Sequence, residues 1–330
     1  MHIDLQTLSI QPKRQAFDHL IRRFGDKPAS RYQEASYDIQ ATENLHYKPT
    51  WASNQSLYDS SITKIVMKDW YALKDPRQFY YSTYTLARAR QQDSTEANFD
   101  FVESRGLADM LDSELKDLAL NVLIPLRHAA WGANLNNTFI CGYGYSTIFT
   151  QPCIYHAMDN LGIAQYLSRL GLLLGDIEAL DQGKADWQNG EEWQALRRYV
   201  EDCLVVRDPF ELFVAQNAAL DGLLYPIIYE RFVNGYLSGN GASAIALLTQ
   251  FMTDWFSESR KWVDAVLSVA AKESEENKMI IQAWSSKWSA RAVEAVRPIA
   301  KLALGEQAEE ALTEELASYN ARMNKNGIIT

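Results

Sequence analysis

Residues 129–165 read AAWGANLNNTFICGYGYSTIFTQPCIYHAMDNLGIAQ, and no Asp, Glu, Lys or Arg occurs in them before Asp159. A surface helix shows a charged face, so a helix with so little charge must be buried against other protein. The second half of the chain repeats this arrangement, because residues 232–253 carry no charge and the cluster Ser257-Glu258-Ser259-Arg260-Lys261 follows. The spacing of the two clusters predicts an internally duplicated chain with two long, buried helix pairs.

The composition is that of a soluble globular protein. The chain has 330 residues, of which 47% are hydrophobic and 22% are charged, and such values are typical of folded domains. A chain of this length buries most of its unfolded surface, so it needs neither disulfides nor a structural metal. Its three cysteines, Cys141, Cys153 and Cys203, form no Cys-x-x-Cys pair. They are therefore predicted to be free thiols in a reducing compartment.

The charge pattern excludes several classes of protein. A formal net charge of −10 argues against a general nucleic-acid-binding surface, which would be basic. Asn and Gly residues interrupt both uncharged runs, so neither offers the roughly 20 apolar residues of a membrane span. The N-terminus, Met1-His2-Ile3-Asp4-Leu5, lacks the basic head and apolar run of a signal peptide. We therefore expect a cytoplasmic protein that binds neither nucleic acid nor membrane.

Residues 1–74 have the pattern of an extended arm. Pro12, Pro28 and Pro49 punctuate them, and aromatic residues are scattered through them without a helical period. A polar segment with so many rings cannot build a core of its own, and its rings need a surface to lie on. Two interpretations stay open: the arm packs on its own body, or it reaches across a partner subunit.

Residues 75–330 are predicted to form a bundle of long helices. Asp75-Pro76 and Asp208-Pro209 each combine an N-cap residue with proline in the first turn. We find no alternating strand pattern and no glycine-rich phosphate loop, so the fold class is all-α. The predicted helices run from Asp75 to about Arg105, from about Ala108 with a kink at Pro125, from about Pro152 to Leu180, over 187–203, from Asp208 to about Leu237 with an internal Pro226, from the turn 238–242 to about Lys272, and over 274–305 and 306–322.

A duplicated bundle of this plan often holds a carboxylate-bridged metal pair. The ligands are a Glu from each of two helices and a Glu-x-x-His from each of the other two. In this chain the spaced positions hold Asn160 and Ile163 in the first cluster, and Glu258 and Lys261 in the second. Residues 119–148, which lead into the first cluster, contain no Asp or Glu. The sequence therefore predicts no metal-binding, cofactor-binding or catalytic residue in this chain.

Other candidate residues have simpler interpretations. The one literal Glu-x-x-His, Glu43 to His46, lies in the arm close to Pro49, where the spacing does not place both side chains on one helix face. His128 and His156 stand in uncharged surroundings and are predicted to be hydrogen-bonded core histidines. Asp159, Glu258 and Arg260 are predicted to form a buried ion pair or hydrogen-bond network in place of a lost metal, with acid–base chemistry as the alternative.

Several segments resemble a known family. Asp159-Asn160-Leu161-Gly162-Ile163-Ala164-Gln165 resembles a degraded copy of the Asp-Glu-x-Arg-His-x-Gln helix of bacterial multicomponent monooxygenases, and Ser257 to Lys261 resembles a second copy. The segments 22–28, 31–38 and 75–81 carry further likeness. Over nearly its full length the chain resembles the β subunit of the hydroxylase component, with the phenol hydroxylase group first and the toluene monooxygenase group next.

The resemblance implies a ferritin-like, ribonucleotide-reductase-like helical bundle without a di-iron site. It implies a non-catalytic structural β subunit with no activity of its own, while an α subunit carries the di-iron centre and hydroxylates an aromatic ring with O2 in aromatic hydrocarbon catabolism. A γ subunit would complete an (αβγ)2 assembly. A reductase with FAD and a 2Fe-2S cluster would supply electrons from NADH, and a regulatory protein would dock on the hydroxylase.

Two other functions compete with this one. The chain could be an oxygenase in its own right, with a rearranged metal site built from Glu258, Glu230, Asp221 and His156. It could also be a helical binding module for an apolar small molecule, held in the room that a lost metal leaves. Native cores tolerate few voids, so Ile163 and its neighbours are expected to fill that room.

Overall fold

The computed structural model describes residues 15–43, 48–50 and 52–328, and in these ranges the chain forms helices and turns but no β-strand. The predicted all-α fold class is thus confirmed. Short 3-10 turns lie at Ser60–Ile62, Trp70–Ala72 and Gly305–Gln307. The α-helices are α1 (Asp18–Phe24), α2 (Arg31–Ser36), α3 (Tyr81–Ser104), α4 (Ser113–Leu123), α5 (Leu126–Tyr143), α6 (Thr147–Asn189), α7 (Glu191–Leu204), α8 (Pro209–Phe213), α9 (Asp221–Tyr225), α10 (Ser243–Leu248), α11 (Gln250–Glu273), α12 (Glu275–Leu304) and α13 (Ala308–Lys325).

Residues 209–237 form one continuous helix, which we call the central helix. It consists of α8, a π-helical segment Val214–Leu220, α9, and a second π-helical segment Pro226–Leu237. As predicted, Asp208 caps its start by accepting the backbone N–H groups of Phe210 at 2.8 Å and Glu211 at 3.1 Å. Pro226 has helical backbone angles, φ −60° and ψ −44°. A π-helical segment begins there, so the helix continues through Pro226 with a changed bonding pattern around the missing proline N–H.

Four long elements build the core of the bundle. α5 and α6 pack along each other as an antiparallel pair, and the central helix packs against α5 through α8. α11 lies against the central helix and α6, and α12 packs against α7, the central helix and α11. Large rings fill the space between these helices, including the fully buried Phe210, Phe213, Trp255 and Trp262. The first uncharged run, residues 129–158, forms most of α5 and the first part of α6. The second, residues 232–253, covers the end of the central helix, α10 and the start of α11.

The helix predicted to start at Asp75 begins later, at Tyr81. Asp75 is buried, and its carboxylate accepts the backbone N–H and the guanidinium of Arg77 instead of capping a helix. Gln78 has a positive φ of 51°, which a right-handed helix cannot contain. The Asp-Pro signal thus marks a tight turn here and a helix cap only at Asp208.

Several other predicted helix boundaries are displaced. The second predicted helix starts at Ser113, five residues after Ala108, and Pro125 separates it into α4 and α5. The third reaches Asn189 rather than Leu180, although Gly175 and the left-handed Asp176 interrupt its backbone. The helix after the turn 238–242 is divided at Thr249 into α10 and α11. The predicted order of long helices is otherwise that of the structure.

The described part of the arm lies on the body of the chain. Ile65, Met67, Trp70 and Leu73 belong to the main hydrophobic core. The Asn277 side chain of α12 accepts the Val66 N–H at 3.0 Å and donates to the Val66 carbonyl at 2.8 Å, as a sheet partner would. Residues 1–14, 44–47 and 51 lie outside the described residues, and the division of the chain at residue 74 stays a prediction.

All three cysteines are free, as predicted. Burial raises the pKa of each thiol, most strongly at Cys153 and Cys203. A thiol that resists deprotonation is a poor nucleophile and a poor metal ligand. Cys153 and Cys203 are therefore structural residues of the core, and Cys141 is half-buried.

None of the helices within the described ranges combines the length and the hydropathy that crossing a bilayer requires.

Candidate functional site

The inner face of the α5–α6 pair is where a metal pair would need its ligands. Asn160 and Ile163 are each 1% exposed and line a cavity of about 20 Å³ together with Ala129, Ala130 and Ala133 of α5. The Asn160 amide is already used, because its Nδ2 donates to the His156 carbonyl at 2.9 Å. A volume of this size holds about one water molecule, so it has no room for an organic ligand.

The cluster on α11 has a different register from the one expected. Lys261 and Arg260 are exposed, while the residues of α11 buried in the bundle include Trp255, Ser259 and Trp262. Glu258 is partly exposed and faces α3 rather than the cavity. The three-residue spacing of Glu258 and Lys261 therefore does not put both side chains at inner positions, because Trp255 and Trp262 take the side of α11 that faces the core.

A chain of hydrogen bonds crosses the core from α5 to α6 through the central helix. Asn136 Nδ2 donates to Gln216 Oε1 at 2.8 Å, and Gln216 Nε2 donates to Asp221 Oδ1 at 2.9 Å. The other oxygen of Asp221 lies 3.2 Å from His156 Nε2. The predicted role of His156 as a hydrogen-bonded core histidine is confirmed. Asn137 and Asn217 make a second, reciprocal pair of amide bonds at 2.9 and 2.8 Å.

These side chains do not fit a metal centre. His156 and Asp221 form a single pair, and the Trp255 and Trp262 rings pack on the imidazole at 4.7 and 5.4 Å between centroids. The remaining members of the rearranged site are elsewhere: Glu230 is exposed and bonds to Asn234, and Glu258 is held by Arg88. Within the described residues no group of three or more His, Cys, Asp or Glu could hold a metal ion.

The predicted ion network exists, and Asp159 is its centre. The Asp159 side chain is 2% exposed, and its carboxylate accepts four hydrogen bonds, from Arg88 Nε and Nη2 at 2.7 Å each, from Tyr84 Oη at 2.9 Å and from Trp255 Nε1 at 3.0 Å. A buried carboxylate with this many charge-assisted bonds is fully satisfied. It therefore joins α3, α6 and α11 at one point.

Arg88 of α3 is the cation that the sequence analysis missed. Its guanidinium also donates to Glu258 of α11 at 2.9 and 3.3 Å, so it bridges the two clusters. Burial lowers the pKa of Arg88, but the carboxylates of Asp159 and Glu258 outweigh burial and raise it overall. Burial and the negative Asp159 both raise the pKa of Tyr84, which keeps the phenol a hydrogen-bond donor.

Arg260 does not belong to this network. It points outward on α11, with its guanidinium 5.7 Å from the centre of the Phe256 ring. Arg77 lies nearer, 3.8 Å from Glu258, while its main partner is Asp75 at 2.9 Å. The expectation for Arg260 is therefore wrong, because the neighbouring Ser259 and Trp262 take the inner side of the helix.

His128 gives no site. The His128 ring stacks on Trp187 at 5.7 Å. Burial, with the positive charges of Arg127 and Lys184, lowers the pKa of His128 to about 4. Its Nε2 has no hydrogen-bond partner, so only part of its prediction holds: it is a neutral histidine packed at the core's edge. Of Glu43 and His46, the histidine lies outside the described residues.

Comparison with known proteins agrees with this arrangement. The family model described as Methane/Phenol/Alkene Hydroxylase matches residues 48–274. The chain belongs to this family. An oxygenase component of phenol 2-monooxygenase from Pseudomonas sp. strain CF600 is 49% identical over 330 residues, which cover 99% of this chain and 98% of the relative. The predicted resemblance to the phenol hydroxylase group is thus confirmed.

Two further proteins of the family show how the similarity differs between its groups. A chain of the xenon-pressurized phenol hydroxylase from Pseudomonas sp. OX1 superimposes with a TM-score of 0.92 at 44% identity and covers 99% of both chains. The β subunit of the toluene-4-monooxygenase hydroxylase component from Ectopseudomonas mendocina is 24% identical over 67% of this chain and 68% of its own. The phenol group therefore stands nearer than the toluene group, and the ferritin-like fold is that of the family.

Proposed function

We propose that this chain is the non-catalytic structural β subunit of a di-iron phenol hydroxylase. In this proposal the complex inserts one oxygen atom of O2 into an aromatic ring, and the chemistry takes place on an α subunit. The chain supplies a rigid helical body against which that subunit is held.

One observation carries the proposal. A chain similar over its whole length to phenol 2-monooxygenase oxygenase components has alanine, Asn160 and Ile163 on the inner faces of α5 and α6. Metal pairs in such bundles need carboxylates and histidines at inner positions of this kind. The fold is kept while the donor set does not fit, which supports a structural role.

The replaced core explains how the bundle stays ordered without a metal. The hydrogen-bond chain from Asn136 to His156 ties α5, the central helix and α6 together. The bridge through Arg88 ties α3 to α6 and α11. Fully satisfied polar networks fix one packing arrangement of helices. These contacts therefore hold the helices in place, as shared metal ligands do in a metal-binding bundle.

The remaining parts of the system follow from the same proposal. The di-iron centre lies in α, and a γ subunit completes an (αβγ)2 hydroxylase in the cytoplasm. A separate reductase with FAD and a 2Fe-2S cluster passes electrons from NADH, and a regulatory protein docks on the assembly. A toluene-type complex is the second candidate, and the lower identity of its β subunit, 24% against 49%, disfavours it.

Purification of the tagged chain from phenol-grown cells of its source tests the proposal. We expect it to co-purify in a 1:1 ratio with a larger polypeptide whose sequence carries two Glu-x-x-His helices. The complex should hydroxylate phenol when NADH, reductase and regulatory protein are supplied, and the chain alone should not. A chain that purifies as a well-behaved monomer without that polypeptide, or that hydroxylates phenol alone, contradicts the proposal.

A further inference from the structure

The outer side of the α5–α6 pair is an apolar surface without charge. On α5 the exposed Trp131 and Leu135 are four residues apart, and on α6 the exposed Met158 and Leu161 are three apart, so each pair lies on one side of its helix. Asn134 Nδ2 donates to the Ala157 carbonyl at 2.8 Å and holds the two sides next to each other. We call the surface of Trp131, Leu135, Met158 and Leu161, with Gly142 and Gly162, the α5–α6 face.

The two glycines of this face are not explained by the chain's own packing. A Cβ atom at Gly142 or Gly162 would meet nothing within 4 Å, and neither residue has a positive φ. By contrast, a Cβ at Gly132 would lie 2.3 Å from Val200, and one at Gly171 would lie 2.7 Å from Leu180. Gly162 lies in the interior of α6, where glycine costs stability, and a common reason to keep it there is the close approach of another group. Gly142 lies in the last turn of α5 and leaves the same side of the pair open. The open space above Gly162 therefore points to a neighbour outside the chain.

The charge pattern indicates what kind of neighbour this is. The chain carries a net charge of −10 and 22% charged residues, yet none occurs from Ala129 to Met158. Asp159, the first charge after this run, is buried and paired inside the chain. A surface that has excluded both signs of charge complements an uncharged, apolar partner face.

The size of the face decides between a second copy and a larger partner. The 18 residues of α5 give a helix about 27 Å long, and two adjacent helices about 20 Å wide present roughly 500 Å². A twofold contact between two such faces would bury about 1,000 Å², less than the 2,000 Å² or more of an obligate homodimer. Leu135 and Gly142 also line one cleft with Pro49 and Leu57 of the arm. A larger partner can cover the face and this cleft together.

We propose that the α5–α6 face is the surface on which the large, metal-bearing hydroxylase subunit docks. This inference rests on the proposed function and names the part of the chain that performs it. The face forms the apolar centre of the interface, and the neighbouring arm extends it. Backbone of the large subunit passes close to Gly142 and Gly162.

Photo-crosslinking in the assembled complex tests the assignment without disturbing the fold. Met158 is replaced by the photoreactive amino acid p-benzoylphenylalanine, and the complex is purified from its source cells and irradiated. We expect crosslinks to the large subunit. The matched control is the same substitution at Met279 of α12, which is 67% exposed and should give at least tenfold fewer such crosslinks. Crosslinks from position 158 to a second copy of this chain, or equal yields at the two positions, overturn the proposal.

Substitutions in the face give a second test. Leu161→Arg and Gly162→Leu should each lower the recovery of the large subunit with the tagged chain at least tenfold, whereas Met279→Arg should leave it unchanged. Unchanged recovery with both face variants contradicts the docking assignment while the proposed function stands. If the unsubstituted chain recovers no large subunit, the proposed function itself fails.

Discussion

The polar clusters of α6 and α11 have similar positions in the two halves of the chain but different places in the fold. On α6, Asp159, Asn160 and Ile163 are all buried, and Asn160 and Ile163 line the core cavity. On α11, Arg260 and Lys261 are exposed and Glu258 turns sideways to Arg88. The α6 cluster therefore lies inside the packed core, while on α11 only Glu258 of the charged residues takes part in the network around Asp159.

The two clusters lack a metal donor set for different reasons. On α6 the inner positions are held by the neutral Asn160 and the apolar Ile163. On α11 the inner side is taken by Trp255, Ser259 and Trp262, so the charged residues have no access to the cavity. One contact, the Arg88 bridge, still connects the two clusters across α3.

Removal of the bridge should have the largest effect. Arg88→Met leaves the buried Asp159 carboxylate without its cation, and breaking a buried pair in this way costs about 3–5 kcal/mol. The free energy of unfolding of this chain can be followed by pulse proteolysis of the purified complex in urea. Arg260→Met on α11 is the matched control and should change stability by less than about 0.5 kcal/mol. Equal losses in the two variants would remove the distinction between the clusters.

Ile163 follows Asn160 by three residues, and Lys261 follows Glu258 by three. Shortening these two side chains should also distinguish the α6 cluster from the α11 cluster. Ile163→Ala on α6 removes a core side chain and should cost about 2–5 kcal/mol. Lys261→Ala on α11 changes an exposed residue and should stay within about 0.5 kcal/mol. The same urea experiment measures both. A small loss at position 163 would mean that the α6 side is not the packed side of the bundle.

The two carboxylates of the bridge should differ less strongly. Asp159→Asn removes the charge from a side chain that is 2% exposed, whereas Glu258→Gln changes one that is 28% exposed. We expect a loss of about 2–3 kcal/mol for Asp159→Asn, in the range of hydrogen bonds to charged groups, and about 1 kcal/mol or less for Glu258→Gln. The urea midpoints of the two variants provide the measurement, and the opposite order would contradict the assigned roles.

His128 on α5 should give the smallest effect, a dependence of stability on pH. Burial, with Arg127 and Lys184, lowers its pKa from 6.5 to about 4. The unfolded chain therefore binds the proton more readily, so stability is full above pH 6.5 and falls as the pH is lowered towards 4. His128→Gln should flatten this part of the profile of urea midpoint against pH. An unchanged profile would show that His128 does not cause it.

Much of the fold could be predicted because its signals are local. The uncharged runs identify the helix pairs, and the cap at Asp208 begins the central helix as expected. The same Asp-Pro signal is wrong at Asp75, where Arg77 takes the carboxylate. A dipeptide cannot reveal which of two hydrogen-bond partners its side chain will choose.

The site was predictable only in part because its key contacts are distant in sequence. Arg88 is 71 residues from Asp159 and 170 from Glu258, and no local pattern links them. The buried side of α11 could be predicted from the sequence. Trp255, Trp262 and Val266 recur at helical spacing and mark that side. Weighing these residues against the charged motif would have placed Lys261 outside.

Native mass spectrometry of the purified hydroxylase, with ejection of single subunits, tests the central claim most directly. The claim is that this chain kept the bundle and gave up the metal pair. We expect the ejected 37.5 kDa chain to have the mass of its polypeptide alone, with two irons retained by the large subunit. Two iron atoms on the ejected 37.5 kDa chain would contradict the account.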